Sequence, residues 1–353
     1  MDDTLEPDRA PGCRHPRETY RLSGHEKAEQ EILTALQSGR MHHAWLISGP
    51  RGVGKATLAY RFARRVLGGV PDNSYGVLGV SPDDPVSHRI EAQSHSGLLP
   101  LRRPLDSSGK KAKTVITVEE ARRAPRFFSQ SSGEGGWRVV IVDSADELQN
   151  PAASNALLKT LEEPPNRGLL LLVSHAPGRL LPTIRSRCRR LELRALPDDG
   201  AIEAARGQVD IPDKDADLIA RMAAGAPGRA VSLAAMDATR LHAQLSDIFA
   251  GLPRLDAQKA HALSDTLAAK SKEEQLKLFH RLTRSFAEER ARAASGVSGG
   301  ILFESASAAG QTAGWLNAWE KLAKQRREQE SLYLDPKQSV MNALYTLRDA
   351  AAA

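Results

Sequence analysis

The sequence predicts an α/β domain with a parallel sheet, followed by a small helical domain and a larger all-helical domain. Three observations support this fold class. Short, continuous apolar runs alternate with helical patterns in the first half of the chain, as in parallel sheets covered by helices on both faces. A glycine-rich turn joins the first apolar run to a helix. After Pro197 strand patterns end, and only helical spacing continues.

The α/β domain is expected at residues 21–196, after a loose, proline-containing N-terminal arm at residues 1–20. Its strands are predicted from their apolar runs at residues 44–48, 139–143, 168–174 and 191–193. Its helices are predicted from 3.6-residue spacing at residues 25–38, 55–67, 118–130 and 155–162. Ser23 is the expected N-cap of the first helix, and Pro164 and Pro165 end the last one.

Three further segments complete the expected organisation. Prolines and glycines punctuate residues 68–113, which predicts a surface insertion with little regular structure. Residues 197–240 predict three short helices, with a break at 225–228 between the second and the third. Residues 241–353 predict a longer helical domain that a Ser/Gly stretch interrupts at 295–300.

Composition narrows the class of protein. The 353 residues suffice for two or three domains, and 26% charged with 41% hydrophobic residues exclude wholesale disorder. A net charge of +6 suits nucleic acid or acidic partners without requiring either. Two cysteines form neither a disulfide framework nor a four-cysteine zinc site. The acidic start is unlike a signal peptide, and the densest apolar run, Leu169–Val173, is too short to cross a membrane. We therefore expect a soluble cytoplasmic protein.

A phosphate-binding loop is predicted between the first strand and its helix. The pattern G-x-x-x-x-G-K is formed by Gly49, Pro50, Arg51, Gly52, Val53, Gly54 and Lys55. Glycines let backbone N–H groups curve around phosphates, the helix N-terminus adds positive potential, and the lysine reaches the outer phosphates. The loop therefore predicts binding of ATP or ADP, the alternative being a chance glycine turn.

The metal-binding positions around this loop are altered. A Ser or Thr hydroxyl that binds Mg²⁺ normally follows the lysine, but the chain has Ala56 there. Thr57 is displaced by about 100° around the helix. Asp143 ends the second predicted strand, where a carboxylate can hold Mg²⁺, yet Ser144 follows where an ATPase usually has a glutamate. The sequence predicts a nucleotide binder with little or no hydrolysis, or a structural relic, and argues against magnesium.

Four segments together resemble the bacterial clamp-loader subunits of the AAA+ family. The combination is highly specific, whereas the phosphate loop alone would not be. Within that family the segments resemble in particular the delta-prime subunits of DNA polymerase III. The segments are Gly49–Lys55, Val139–Asp143, Asn155–Pro165 and the Ser186-Arg187-Cys188 triplet.

The resemblance implies a P-loop AAA+ core, a helical lid at residues 197–240 and a C-terminal collar at 241–353. Arg187 would be an arginine finger acting in trans at the ATP site of a neighbouring subunit. The sensor-1 and sensor-2 positions would be Ser174 and Arg229. Leu22 and Gly24 would lie near an adenine pocket.

The same resemblance implies partners. The chain would join motor subunits of the tau/gamma type and a delta-type subunit in a heteropentamer that contacts the sliding clamp and primed DNA. It would then belong to the DNA-directed DNA polymerase holoenzyme, a nucleotidyltransferase complex, without ATPase activity of its own. Many relatives carry a four-cysteine zinc module, but residues 68–136 contain no cysteine, and His88 and His95 cannot replace one. We therefore expect no zinc.

Other interpretations stay open at the sequence level. The chain could be an active AAA+ motor subunit, although Ala56 and Ser144 disfavour this. A DNA-binding regulator would need a reader such as a helix-turn-helix, which the pattern does not indicate. Arg187 could belong to a solvated basic face, and Glu162 and Glu163 to an exposed helix end. Asp146 and Glu147 could be solvated or capping groups.

Overall fold

The computed structural model describes residues 6–109, 111–129, 136–149, 151–297, 302–303, 311–332 and 335–353. The chain forms two compact units. One consists of Met1–Gln208 and Ala224–Val231, and the other of Val209–Ala223 and Ser232–Ala353. The glycines at 133–136 also predict a turn after the helix expected at 118–130. Part of this turn and of the predicted interruption at 295–300 lies outside the described residues.

A five-stranded parallel sheet forms the centre of the first unit, in the order β2-β3-β4-β1-β5. The predicted α/β class is confirmed. Three of the four predicted strands match to within one residue, and the last begins two residues earlier than expected. The strands are β1 (Ala44–Ser48), β2 (Leu98–Leu101), β3 (Arg138–Asp143), β4 (Gly168–Ser174) and β5 (Arg189–Glu192).

Helices cover the two faces of this sheet. Along β3, Val139 and Ile141 pack into one hydrophobic core, whereas Val140 and Val142 pack into the other. Successive side chains of a strand point to opposite faces, so a continuous apolar run serves both cores. The helices within the stretch Met1–Gln208 are α1 (Glu26–Gln37), α2 (Lys55–Val66), α3 (Pro85–Glu91), α4 (Val118–Ala121), α5 (Arg123–Ser129), α6 (Ala152–Glu162), α7 (Pro182–Arg185) and α8 (Asp198–Arg206).

The expectation that residues 68–113 have little regular structure is wrong. This segment contains α3 and supplies the edge strand β2, whose Leu101 is fully buried opposite Val142. The sequence signal is weak because the strand has four residues and includes Pro100. Proline is tolerated in an edge strand, where one side of the backbone has no neighbour to bond.

The expectation of a loose N-terminal arm is also wrong for the described residues 6–20. Asp8 and His15 are almost completely buried and pair through Oδ2 and Nε2 at 3.1 Å. The other Asp8 oxygen accepts a hydrogen bond from Arg102 at 2.9 Å. The arm therefore docks through ion pairs with side chains distant in sequence, which local composition does not reveal.

Two local predictions need smaller corrections. Helix α1 begins after His25 rather than at Ser23, and the His25 imidazole bonds the Val53 carbonyl at 3.0 Å instead of capping the helix. The single helix predicted at 118–130 is two helices, α4 and α5, separated at Arg122. Pro125 lacks the N–H that would bond back to Ala121, which accounts for the break.

The predicted helices after Pro197 are present. Among its described residues, the second unit contains helices and no strand, and its aromatic side chains stack, with Phe249 and Phe286 4.1 Å apart between ring centres. The boundary expected at residue 240 is wrong because it falls inside α11. No helix within the described ranges is long and apolar enough to span a membrane. The remaining helices are α9 (Asp213–Ala223), α10 (Pro227–Ala235), α11 (Ala238–Ala250), α12 (Ala257–Leu267), α13 (Glu273–Ala294), α14 (Thr312–Leu332) and α15 (Pro336–Ala352).

Candidate nucleotide site and the opposite sheet edge

The glycine loop lies between the carboxyl end of β1 and the start of α2. Gly49, Gly52 and Gly54 all have positive φ angles, of 144°, 80° and 107°. A Cβ atom on Gly49 would lie 2.2 Å from the Leu193 carbonyl oxygen, and one on Gly52 would lie 2.7 Å from the Arg229 nitrogen. Only glycine satisfies both the backbone angle and this close approach. The loop is therefore fixed by its neighbours in the shape the motif predicts.

Lys55 is turned toward the loop itself. Its side chain is buried, and Nζ donates hydrogen bonds to the carbonyl oxygens of Gly49 (2.8 Å) and Pro50 (2.5 Å). Burial lowers the pKa of Lys55 to about 8, although Asp143 and Asp146 act in the opposite direction. The ammonium group is thus still mostly charged at pH 7 and lies within the cradle where phosphates bind.

Asp143 ends β3 at the same edge of the sheet. Burial raises its pKa to about 7, and the negative charges of Asp8 and Glu147 add to this, whereas Lys55 and Arg103 oppose it. Near neutral pH the carboxyl group is therefore partly protonated. A protonated carboxyl group is a poor ligand for a divalent cation.

Asp146 is the most extensively bonded acid of this edge. Its carboxylate accepts hydrogen bonds from Ser174 Oγ (2.6 Å), Ser144 Oγ (3.0 Å) and the backbone N–H groups of His175 (2.7 Å) and Ala176 (3.2 Å). Burial alone would raise its pKa, but these hydrogen bonds hold the pKa below its usual value. The interpretation of Asp146 as a solvated group is wrong, because the side chain is fully buried.

Arg51 and His175 connect the glycine loop to the end of β4. Arg51 Nη2 donates to His175 Nε2 at 2.7 Å. Because a guanidinium can only donate, Nε2 must be the acceptor, and Nδ1 carries the proton and faces Asp146 Oδ2 at 3.2 Å. Burial and the charge of Arg51 lower the pKa of His175 to about 4, so the imidazole is neutral at pH 7.

The residues around the loop fit a phosphate chain better than a magnesium ion. Arg229 lies beside Gly52, and its Nε is buried without a hydrogen-bond partner. For a cation, Ala56 offers no oxygen, and the oxygens of Ser144 and Asp146 are engaged with each other and with their neighbours. Within the described residues, no group of three or more His, Cys, Asp or Glu side chains could hold a metal ion. The absence of zinc stays a prediction.

The structure brings most of the predicted pocket residues to one edge of the sheet. The glycine loop, Asp143, Ser174 and Arg229 meet there. Thr57 lies one position past Ala56 on α2 and is half-buried. Leu22 covers Gly54, since a Cβ atom on that glycine would lie 2.5 Å from its Cδ1. The nucleotide and sensor roles of these residues stay predictions.

Arg187 lies at the amino-terminal ends of the parallel strands, called the amino edge below, whereas the glycine loop lies at their carboxyl-terminal ends, the carboxyl edge. It precedes Arg189, the first residue of β5, which pairs with Trp45 in β1, whereas the glycine loop follows Ser48 at the other end of β1. All five strands are parallel, and the paired stretch from Trp45 to Ser48 rises about 10 Å. The guanidinium of Arg187 is therefore separated from the pocket of its own chain by the length of the sheet.

At this amino edge Arg187 has one acidic partner. Its Nη2 pairs with Glu162 Oε1 at 2.9 Å, and Nη1 donates to the Thr183 carbonyl oxygen at 3.0 Å. The side chains of Arg187 and Glu162 remain 36% and 50% exposed. The expectation of an exposed helix end at Glu162 and Glu163 is confirmed, and Glu162 also pairs with Arg187. Two of the four segments that carry the resemblance, Asn155–Pro165 and Ser186-Arg187-Cys188, contact each other through this pair.

The sequence analysis did not identify His175 and Asp146 as parts of the nucleotide site, nor Glu162 as the partner of Arg187. One signal was present, because Ser174 and His175 are polar residues directly after a fully apolar strand. Parallel strands bring such residues to the same edge as the glycine loop. The Arg187–Glu162 pair had no comparable signal.

Comparison with known proteins agrees with this geometry. Residues 24–197 match the sequence model of the family described as DNA polymerase III, delta subunit. DNA polymerase III subunit delta' of Pseudomonas aeruginosa is 34% identical over 221 residues, which cover 61% of each chain. The delta' subunit of Escherichia coli is 33% identical over 205 residues, 58% of each chain. Subunit gamma/tau of Mycobacterium bovis is 31% identical over 52% of this chain and 29% of its own.

The matches span about three fifths of the length of the delta' relatives. The match to the family model, at residues 24–197, includes the glycine loop, Asp143, the α6 motif and the Ser186-Arg187-Cys188 triplet. The resemblance to bacterial delta-prime subunits is confirmed, and residues 24–197 of the chain are similar to the family described as DNA polymerase III, delta subunit.

Proposed function

We propose that this chain is a delta-prime-like stator subunit of a clamp loader, which supports ATP-driven loading of a sliding clamp onto primed DNA. In this role Arg187 enters the ATP site of a neighbouring motor subunit. The observation that carries the proposal is the separation of Arg187 from its own phosphate loop by the length of the parallel sheet.

An arginine finger acts on the phosphate groups of a nucleotide that is bound to a neighbouring subunit. It therefore has to lie away from the phosphate loop of its own chain and be accessible to that neighbour. Arg187 meets this requirement because its guanidinium is partly exposed at the amino edge. A guanidinium fixed beside a transferring phosphoryl group stabilises the charge of the transition state and is worth about 10³–10⁵ in rate. The exposed position is the one a neighbouring subunit can approach.

The residues of the chain's own pocket give a second argument for the stator role. Ala56 supplies no metal ligand, and Ser144 has no carboxylate to orient a water molecule. The chain would therefore contribute to polymerase holoenzyme function without hydrolysing ATP itself. Its expected partners are tau/gamma-type motor subunits and a delta-type subunit in a cytoplasmic heteropentamer, consistent with relatives named as DNA polymerase III delta' and gamma/tau subunits.

The test is Arg187→Ala in a reconstituted complex of this chain with its cognate motor, delta-type and clamp subunits. We expect size-exclusion chromatography to show an intact complex. The ATP turnover of the complex, stimulated by clamp and DNA, should fall by the contribution of the one ATP site that Arg187 enters, because catalysis at that site falls by about 10³-fold.

The matched control is Arg190→Ala, which removes an exposed arginine of β5 with the same change in charge. This variant should keep the wild-type rate. An intact Arg187→Ala complex with wild-type turnover would contradict the arginine-finger role.

A further inference from the structure

The phosphate end of the pocket is rich in cationic groups. Lys55 lies inside the glycine loop, and Arg229 contributes a buried Nε without a hydrogen-bond partner. Arg51, the third residue of the loop, extends across the pocket edge to His175. Three positively charged residues therefore belong to the loop or lie beside it: Lys55, Arg51 and Arg229.

Two of the acidic groups of the same edge, Asp146 and Glu147, are already engaged. Asp146 is fully buried and bonded to Ser174, Ser144 and two backbone N–H groups. Glu147 forms ion pairs with Arg103 at 3.1 Å and with Arg51 at 3.7 Å. A divalent cation needs several free oxygen ligands, and Mg²⁺ requires near-octahedral geometry. This arrangement does not provide them.

Arg51 is the most exposed of the three cations, with 72% of its side chain accessible. It donates a hydrogen bond to His175, a neutral imidazole that only accepts, and its ion pair with Glu147 is long, at 3.7 Å, and weak at such an exposed position. Arginine forms bidentate, charge-assisted hydrogen bonds with phosphate, which are stronger than a bond to a neutral acceptor. A phosphate group in the loop can therefore replace His175 as the partner of Arg51.

We propose that this pocket binds the phosphate chain of ADP or ATP without a divalent cation, with the Arg51 guanidinium supplying the positive charge that magnesium supplies in a motor ATPase. This proposal deepens the proposed function, since it concerns the AAA+ core of the same subunit. The role of Arg187 at a neighbour does not depend on it. In this metal-free site, positively charged side chains of the protein alone balance the negative charge of the phosphates.

The first test is isothermal titration calorimetry of the full chain with ADP and with ATP, in EDTA and in excess MgCl₂. We expect binding in EDTA to be at least as tight as in magnesium. Magnesium should weaken it, because the cation competes with Arg51 for the same phosphate oxygens. An affinity that rises about tenfold or more with magnesium, or no binding in either buffer, overturns the proposal.

The second test is Arg51→Ala, which should fold normally because the side chain is exposed. We expect its affinity for ADP in EDTA to fall about tenfold or more, since a charge-assisted pair is lost. Arg190→Ala is the matched control and should bind like the wild type, with thermal unfolding confirming that both variants are folded. Unchanged affinity in Arg51→Ala overturns the assignment.

The two proposals fail separately. Titration of the isolated chain reports on the pocket alone, whereas ATP turnover of the assembled complex reports on Arg187. Loss of nucleotide binding with an intact Arg187 effect would remove this inference and leave the stator role standing.

Discussion

The two edges of the parallel sheet differ in how their polar groups are used. At the carboxyl edge, Asp146 and Lys55 are buried, and their hydrogen bonds are made to the surrounding strand ends and loop. At the amino edge, Arg187 and Glu162 form one half-exposed pair. The polar groups of the carboxyl edge are therefore stabilised by buried hydrogen bonds within the chain, whereas the amino edge exposes the charged Arg187 side chain to solvent.

This difference indicates where chemistry can occur. A buried acid whose oxygens accept four hydrogen bonds is rigid and is not available to orient a water molecule. An exposed guanidinium with a weak ion pair is available to a stronger anionic partner. The fold has thus kept the shape of a phosphate pocket at one edge and an accessible arginine at the other.

The largest effect on stability is expected from Asp146→Ala at the carboxyl edge. The change leaves the donors of Ser174, His175 and Ala176 without their acceptor. Hydrogen bonds to a buried charged group contribute about 1.5–3 kcal/mol each, though not additively, so we expect a loss of about 3 kcal/mol. Urea unfolding of the wild type and the variant measures this. Asp146→Asn is the control, since it keeps one oxygen acceptor and should lose less.

A loss below about 0.5 kcal/mol in Asp146→Ala would contradict the description of this edge as internally stabilised.

An intermediate, pH-dependent effect is expected from Asp8 in the docked arm. Burial alone would raise its pKa, but His15 and Arg102 lower it to about 2. A group with a depressed pKa stabilises the fold above its unfolded value near 4, and this contribution is lost as pH falls toward 2. Asp8→Asn should therefore cost about 2 kcal/mol at pH 7 and almost nothing at pH 2. Urea midpoints measured across this range check the difference.

An equal cost at both pH values would show that the Asp8 charge is not what docks the arm.

The smallest effect is expected from Glu162→Gln at the amino edge. Because both partners are half-exposed, the pair with Arg187 contributes at most about 1 kcal/mol to stability. Glu163→Gln is the matched control on the adjacent residue. Urea unfolding in low and high salt should show nearly equal stabilities for the two variants. A loss as large as that of Asp146→Ala would remove the contrast between the edges.

Sequence reasoning succeeded where the signal was local. The strands β3 and β4 are continuous apolar runs, and the glycine loop has a fixed spacing, so both could be placed from the chain alone. The order of strands along one edge then brought Asp143 and Ser174 beside the loop. These parts of the site follow from periodicity and parallel topology.

The failures involve partners that are far apart in sequence. The polar, proline-containing arm predicts a loose segment, because the sequence does not show that Asp8 pairs with Arg102, 94 residues later. Asp146 is expected to be solvated, because the sequence does not show that its hydrogen-bond donors lie at the end of the next strand. The edge strand β2 was missed because four residues with a central proline carry too little pattern. Tertiary contacts decided each of these features.

The most direct test of the central claim is phosphate release by the purified chain alone. ATP, magnesium and primed DNA are supplied, and the rate is compared with a protein-free blank. Ala56 and Ser144 remove the metal ligand and the water-orienting carboxylate, so we predict no turnover above the blank. Steady turnover that disappears in Lys55→Ala would show that the pocket hydrolyses ATP itself and would contradict the account.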